Sequence, residues 1–331
     1  MRNIRTLLVS ASLAFALLAT TGCERHSKNE SYYLISNNLK LAYWQSANAG
    51  FNKAAAQYGV TAHLRGPDDY NAQAELEEFQ KAVATKPAGI LVSVADAAAM
   101  TPAIDAAIAA HIPVITMDSD APNSHRLFFI GTNNLDAGRL GAQRAFRKLG
   151  GKGNVIFFSM PGQPNLDDRL KGYIDIFQDH PQIKIVDVIN IKGEAGNAFD
   201  RAKQLLGKTG PDKIDAFICL EASAGKDVAE VLKRNHATDR LLIAMDVDPD
   251  TLQLIKEGVI DSTIAQKPYT MGYLGLKQLD EIHHYLPAQF RTDYGVDSFS
   301  PYPVFVDTGT ALVDKNNVDI FLSAAAEAQG K

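Results

Sequence analysis

The chain has 331 residues and is 46% hydrophobic, enough apolar material for two domains of ordinary size, each with its own core. With 33 basic against 38 acidic side chains the net charge is -5, and no basic stripe runs along it, which argues against nucleic acid as a partner. Two cysteines cannot build a disulfide framework.

Residues 1–22 read as an export signal: Arg2 and Arg5, an acid-free apolar run from Leu7 to Ala19, then small residues. That run is short for a membrane span, and nothing similar follows it. Its end, Thr20-Thr21-Gly22-Cys23, resembles a bacterial lipobox with Thr20 where Leu is usual, which implies a lipid on Cys23; plain cleavage nearby is the alternative. Removing this segment takes away two arginines and no acids, moving the charge from -5 to -7. Residues 23–31, polar and aperiodic, are expected to be a tether. Cys219, inside the apolar run Ala216 to Leu220, reads as an inert buried thiol and not a nucleophile, because no basic neighbour in sequence would lower its pKa.

From Tyr32 onward, short β-branched runs alternate with amphipathic segments. Strands are expected at Tyr32–Ser36, Thr61–Leu64, Gly89–Val94 and Ile112–Met117, with helices at Ala47–Tyr58, Ala72–Thr85 and Ala98–Ala110 between them. The rhythm restarts with strands at Asn154–Phe158, Ile183–Ile189, Ala216–Leu220 and Leu241–Met245, separated by helices at Leu166–Gln178, Ala195–Leu206 and Gly225–Arg234. This is the pattern of βαβ units and a parallel sheet. Two phrases then match across the halves. Ile115-Thr116-Met117-Asp118 and Ile243-Ala244-Met245-Asp246 are both apolar runs ending on an aspartate followed by turn residues. Pro87-Ala88-Gly89-Ile90-Leu91-Val92 and Ile214-Asp215-Ala216-Phe217-Ile218-Cys219 stand one unit before each. The expectation is two doubly wound α/β lobes with Asp118 and Asp246 facing one cleft, since ligands of open α/β sheets sit at the carboxyl ends of strands.

From about Tyr32 to about Val318 the chain resembles the type I periplasmic sugar-binding proteins of the ribose-binding kind, the substrate-capturing part of ABC importers. The resemblance is carried by Ile112-Pro113-Val114-Ile115-Thr116-Met117-Asp118, Ile130-Gly131-Thr132-Asn133-Asn134 with Gly138, Asp168-Arg169-Leu170-Lys171-Gly172-Tyr173, Met245-Asp246, Thr263-Ile264-Ala265-Gln266 and Val306-Asp307-Thr308-Gly309, in that order. It implies three crossings between lobes, near Thr132–Asn134, Ala265–Lys267 and Asp307–Gly309, and a helix over about Tyr269–Tyr285 returning to the first lobe. The first lobe is then 32–132 plus 267–306, and the second 133–266 plus 307–331.

A sugar offers hydroxyls at its edge and C–H groups on its faces, so its receptor needs carboxylates and amides around it and aromatic rings above or below. The resemblance places Asp118 and Asp246 as hydroxyl acceptors, although either could simply form a turn or cap a helix. Ser119 stands where ribose binders carry Arg, which argues against ribose itself. Tyr43 and Trp44 match paired stacking aromatics, core burial being the alternative for a lone tryptophan. Asn37 and Lys40 are rim donors, and Asn134 and Gln266 match amides in the crossing segments. Asp167 stands where the family usually has Arg, Glu221 where it often has Asn, and Arg169 on an arginine that more often supports structure. An acid-rich cleft suggests a neutral sugar, a polyol or an amino sugar.

Two patterns are set aside. Asp246 to Glu257 has the acid spacing of a calcium loop, but Thr251 occupies the sixth place, where the sharp turn requires Gly. His283 and His284 are adjacent, cannot share a helix face, and are read as surface residues without a partner at zinc spacing, so no metal and no cofactor are expected. There is no Gly-x-Ser-x-Gly elbow, and Gly150-Gly151-Lys152-Gly153 precedes a strand instead of following one. The sequence thus leads to a monomeric, non-enzymatic binding protein outside the cytoplasm, anchored by lipid, passing a small carbohydrate to an ABC permease. The alternative is a sensor presenting its ligand to a chemoreceptor or kinase.

Overall fold

The computed structural model describes residues 26–286 and 296–328. The proposed signal, Cys23 and the start of the tether lie outside these residues. No helix among those described is long and apolar enough to cross a membrane.

Two six-stranded sheets organise the chain. The first contains β1 (Ser31–Ile35), β2 (Thr61–Arg65), β3 (Gly89–Val92), β4 (Val114–Met117), β5 (Phe129–Gly131) and β11 (Phe305–Asp307), in the order β11-β5-β4-β3-β1-β2. The second contains β6 (Gly153–Ser159), β7 (Ile183–Asn190), β8 (Ala216–Cys219), β9 (Leu241–Met245), β10 (Ser262–Ala265) and β12 (Ala311–Asp314), in the order β12-β10-β9-β8-β6-β7. Counted within each sheet, the two orders are the same, so the repeated phrases do mark equivalent strands. Only the last edge differs: β11 runs parallel to β5, whereas β12 runs antiparallel to β10. The central strands Gly-Ile-Leu-Val, Val-Ile-Thr-Met and Ala-Phe-Ile-Cys are buried along their whole length, as strands covered on both faces must be. Cys219 is buried there, and that burial pushes its thiol well above its ordinary pKa.

The helices over the first sheet are α1 (Ala42–Tyr58), α2 (Ala72–Ala84) and α3 (Ala97–Ala109). Those over the second are α4 (Asn134–Leu149), α5 (Pro164–Phe177), α6 (Ala195–Leu206), α7 (Ala224–Arg234), α8 (Pro249–Glu257) and, near the chain's end, α10 (Val318–Ala328). Helix α9 (Pro268–His284) follows the second sheet yet packs on α1, returning to the first lobe as expected. The chain passes between the sheets three times, after β5, after β10 and after β11.

Three local expectations are corrected. Helix α1 begins at Ala42, so Tyr43 and Trp44 stand on its first turn and not in a loop. Helix α4 had no counterpart in the sequence reading. His284 is half-buried and packed against Asp280, not a surface residue, and the segment from His26 to Glu30 is docked on the first lobe.

Candidate functional site

The two matching aspartates share one local conformation. Asp118 leaves β4 with φ 62° and Asp246 leaves β9 with φ 68°, in the left-handed region that aspartate tolerates better than most residues. Each backbone N–H is held by the neighbouring strand: Asp118 donates to Ile130 O at 3.2 Å and Asp246 to Ile264 O at 2.9 Å. A turn so fixed aims each carboxylate out of the sheet, and both line one cavity between the lobes.

Around Asp118, Tyr43 donates its hydroxyl to Oδ1 at 2.8 Å and Ser93 donates to Oδ2 at 3.2 Å. Asn165, from α5 of the other lobe, donates to Oδ2 at 3.4 Å. Burial pushes Asp118 above the ordinary carboxylate range, and Arg169 opposes this. Asp246 accepts from Gln266 Nε2 at 2.9 Å. Its pKa is pushed up to about 7 by burial, against the pull of Arg169 and the Gln266 bond and with the push of Asp118 and Glu221.

Gln266, just past β10, is the junction of the crossings. Its Oε1 accepts from Thr132 Oγ1 at 2.8 Å and from Arg169 Nη2 at 3.0 Å, which fixes the amide so that Nε2 points at Asp246. Arg169 is buried (3% exposed) and also donates to Asn134 Oδ1 at 2.9 Å and to Leu220 O at 2.7 Å. Three of the five N–H donors of its guanidinium are thereby fixed to the protein, and it is the cation set against Asp118, Asp246 and Glu221. The sequence reading gave Arg169 a structural part. The structure gives it that part and the cavity wall as well.

The remaining expected residues separate. Asn37, Tyr43, Trp44, Glu221 and Gln266 line the cavity. Trp44 is only 2% exposed and belongs to the first core, so it backs the cavity from the hydrophobic side. Glu221 spends both oxygens on α7, accepting from the N–H groups of Ser223 and Ala224 at 2.7 Å each. Asn134 is not in the wall; it holds Arg169 from behind. Asp167 is exposed, outside the cavity, and accepts from Gly162 N–H. It is on the turn before Arg169, and the helical phase that buries Arg169 turns Asp167 outward. Lys40 is also outside, paired with Asp69 at 2.8 Å.

Sequence reasoning missed Tyr70, Gln163 and Asn165, all in the wall. The signal is present in Gln163-Pro164-Asn165, two amides flanking a proline at a helix start. Buried Gln163 Oε1 and Asn165 Oδ1 have no hydrogen-bond partner among the described residues. The space between the lobes is about 60 Å³, room for about two waters, so a ligand enters only when the lobes part or side chains withdraw. A larger open groove of about 940 Å³ lies at the amino ends of the second sheet's strands, but its charges pair with each other, as in Arg144–Asp261 at 2.6 Å and Lys148–Asp261 at 2.7 Å. The unpaired oxygens of Gln163 and Asn165 belong to the wall of the inter-lobe cavity instead.

Two α/β lobes crossed three times, with paired acids from equivalent strands facing one buried cavity, define a two-lobed ligand-binding protein. Residues 32–283 match the family described as periplasmic binding protein domain, and the chain belongs to that family. It is 24% identical to the ribose import binding protein RbsB of Escherichia coli over 286 residues, covering 85% of this chain and 93% of that protein. It is 25% identical to the xylose/arabinose-binding protein XylF of Sulfolobus acidocaldarius over 268 residues, covering 76% of this chain but only 62% of that one. Among solved structures, the sugar-binding protein of a sugar ABC transporter from Bacillus halodurans superposes with a TM-score of 0.76 at 32% identity, covering 88% of this chain and all (100%) of that one.

Proposed function

We propose that the protein is the extracytoplasmic substrate-binding component of a sugar ABC transporter, closing on a monosaccharide or a related polyol or amino sugar. The observation that carries this is the acceptor-rich cavity. Asp118 and Asp246 face it from opposite lobes, with the unpaired oxygens of Gln163 and Asn165 beside them. A polyhydroxyl ligand, in which each hydroxyl is a donor, matches such a wall, and its donors relieve buried acceptors that otherwise cost about 1–3 kcal/mol each. The chemistry is capture and release, handing the ligand unchanged to a permease. The similarity to sugar-binding relatives supports this reading. It extends to an export signal over 1–22, a lipid on Cys23, a tether over 23–31, and a monomer with lobes 32–132 plus 267–306 and 133–266 plus 307–331.

The test is calorimetry over pentoses, hexoses, polyols and amino sugars. At least one is expected to bind, and Asp246→Ala to weaken it by about 1.5–3 kcal/mol through loss of a charged acceptor in a desolvated site. Unchanged affinity in that variant removes Asp246 from the site. Ligand recovered chemically altered overturns the non-enzymatic reading.

A further inference from the structure

At the opposite end of the first lobe from the cavity, four side chains converge that the binding function does not use. We propose that His26, Glu30, Asp280 and His284 form a divalent-cation site of the zinc class, clasping the segment before β1 onto the end of α9. Asp280 and His284 are four residues apart on one helix, hence on one face. His26 and Glu30 arrive from the other side, on the segment leading into β1.

The distances suit a small tetrahedral ion. His26 Nε2 is 3.0 Å from Asp280 Oδ2, and His284 Nε2 is 3.5 Å from Glu30 Oε2. Donor atoms of His26, Asp280 and His284 all lie within 4.8 Å of one another. Zinc bonds of about 2.0–2.1 Å place tetrahedral ligand atoms about 3.3 Å apart, so binding draws these three donors together, and Glu30, which stands beside His284 but outside that group of three, turns in to complete the shell. The orientation also suits. His284 Nδ1 is 2.8 Å from the Asp280 carbonyl oxygen, an acceptor, so Nδ1 carries a proton and Nε2 is the ring atom turned toward Glu30. Glu30 Oε2 is a buried oxygen with no hydrogen-bond partner at bonding distance among the described residues. An imidazole nitrogen and a carboxylate oxygen 3.5 Å apart can be bridged by a metal ion once the ring has given up its Nε2 proton. Asp280 is set in turn by Tyr32, which donates to Oδ1 at 3.2 Å and leaves Oδ2 toward His26. The His26 ring is stacked on Tyr58 at 4.9 Å and 14° and meets the His284 ring edge-on at 4.9 Å.

The chemistry selects the ion. Two imidazoles and two carboxylates fit zinc, whereas calcium and magnesium favour all-oxygen shells. Two carboxylates balance a doubly charged ion, so filling the site removes buried charge and adds none. Because α9 starts at the second crossing, the ion would fix the chain's N-terminal approach to the helix that the crossing leads into.

The test uses the tag-free full chain, stripped with chelator and titrated with Co²⁺ and then Zn²⁺. One equivalent of Co²⁺ is expected to give the visible absorption of a four-coordinate ion, Zn²⁺ to displace it, and Zn²⁺ to raise the melting temperature. His26→Ala removes a ligand at the rim of the fold, and Zn²⁺ affinity is expected to fall at least roughly 100-fold. Sugar affinity is expected to stay unchanged in that variant, which separates this site from the cavity. Absence of the cobalt spectrum, or binding as tight in His26→Ala and in the His26→Ala/Glu30→Gln double variant as in the parent, overturns the proposal.

Discussion

Asp246 has a carboxyl group with a folded pKa of about 7 against an ordinary 3.8, raised first by burial. A raised carboxyl pKa means that the folded protein holds the proton more tightly than the unfolded chain does. Its stabilising contribution is therefore full below about pH 4 and is lost as pH rises through 7. Ligand binding has the opposite slope. A sugar hydroxyl donates to the ionised form, so below pH 7 binding must expel a proton, and affinity is expected to fall by up to about tenfold per pH unit. Isothermal titration from pH 5 to 8 in buffers of differing ionisation enthalpy checks this. A flat affinity profile with no proton release would show that Asp246 does not accept from the ligand. Arg169 keeps the pKa from going higher, and it is held by Asn134, Gln266 and the Leu220 carbonyl, so the cavity's only wall arginine among the described residues is positioned before any ligand arrives.

At the scale of elements, the lobes repeat a helix crossing as well as a strand. In the first lobe α9 crosses α1 where Gly50 and Gly272 meet: a Cβ on Gly50 would stand 2.0 Å from Tyr269 O, and one on Gly272 would stand 2.0 Å from Ala47 O. In the second lobe α4 crosses α5 at Gly138 and Gly172, where a Cβ would stand 2.0 Å from Arg169 O and 2.2 Å from Leu135 O. In both lobes a helix entered from a crossing is seated backbone-to-backbone on the helix that follows the sheet's first strand. Gly50→Ala is expected to force α1 and α9 apart and to cost about 1–3 kcal/mol by chemical denaturation. A change within about 0.5 kcal/mol would mean that the crossing relaxes freely. The same geometry explains what could be read in the sequence and what could not. Strands such as Gly89–Val92 and Leu241–Met245 announce themselves because both faces are buried in large apolar side chains. Helix α4 buries Ala137, Gly138, Gly141, Ala142 and Ala145, a helical stripe made of small residues in place of large apolar ones, two of them poor helix formers. For the cavity, Asp118 and Asp246 were legible through the repeat. Tyr70, by contrast, reaches the cavity by tertiary placement alone, and Asp167 misled because positions two apart on a helix face nearly opposite ways, so it points away from the side that buries Asn165 and Arg169.

For the molecule as a whole, closure depends on what crosses between the lobes. Apart from Thr132 to Gln266 at 2.8 Å in the crossing itself, the direct bond across the lobes at the cavity among the described residues is Asn165 to Asp118 at 3.4 Å, so closure without ligand is expected to be weakly favoured, with ligand contacts to both lobes supplying the difference. One further contact lies at the cavity's edge. Gly193, between β7 and α6 of the second lobe, meets the ring of Tyr70 from the first, and a Cβ on Gly193 would stand 2.5 Å from Tyr70 Cδ1. Ala at this position collides with Tyr70 only when the lobes are shut. It also strains the backbone at φ +74°, but that cost falls on the open and closed states alike. Gly59→Ala supplies the control, because Gly59 has nearly the same backbone, φ +71°, with nothing within 4 Å of its Cβ. Both variants are expected to lower the melting temperature, while only Gly193→Ala weakens sugar binding, by about tenfold or more as the closed population falls. Small-angle scattering is expected to show ligand contracting the parent and Gly59→Ala fully and Gly193→Ala less. Equal affinities in the two variants would mean that closure does not pass through the Tyr70–Gly193 contact, and the structure's shut cavity would not be the state that grips the sugar.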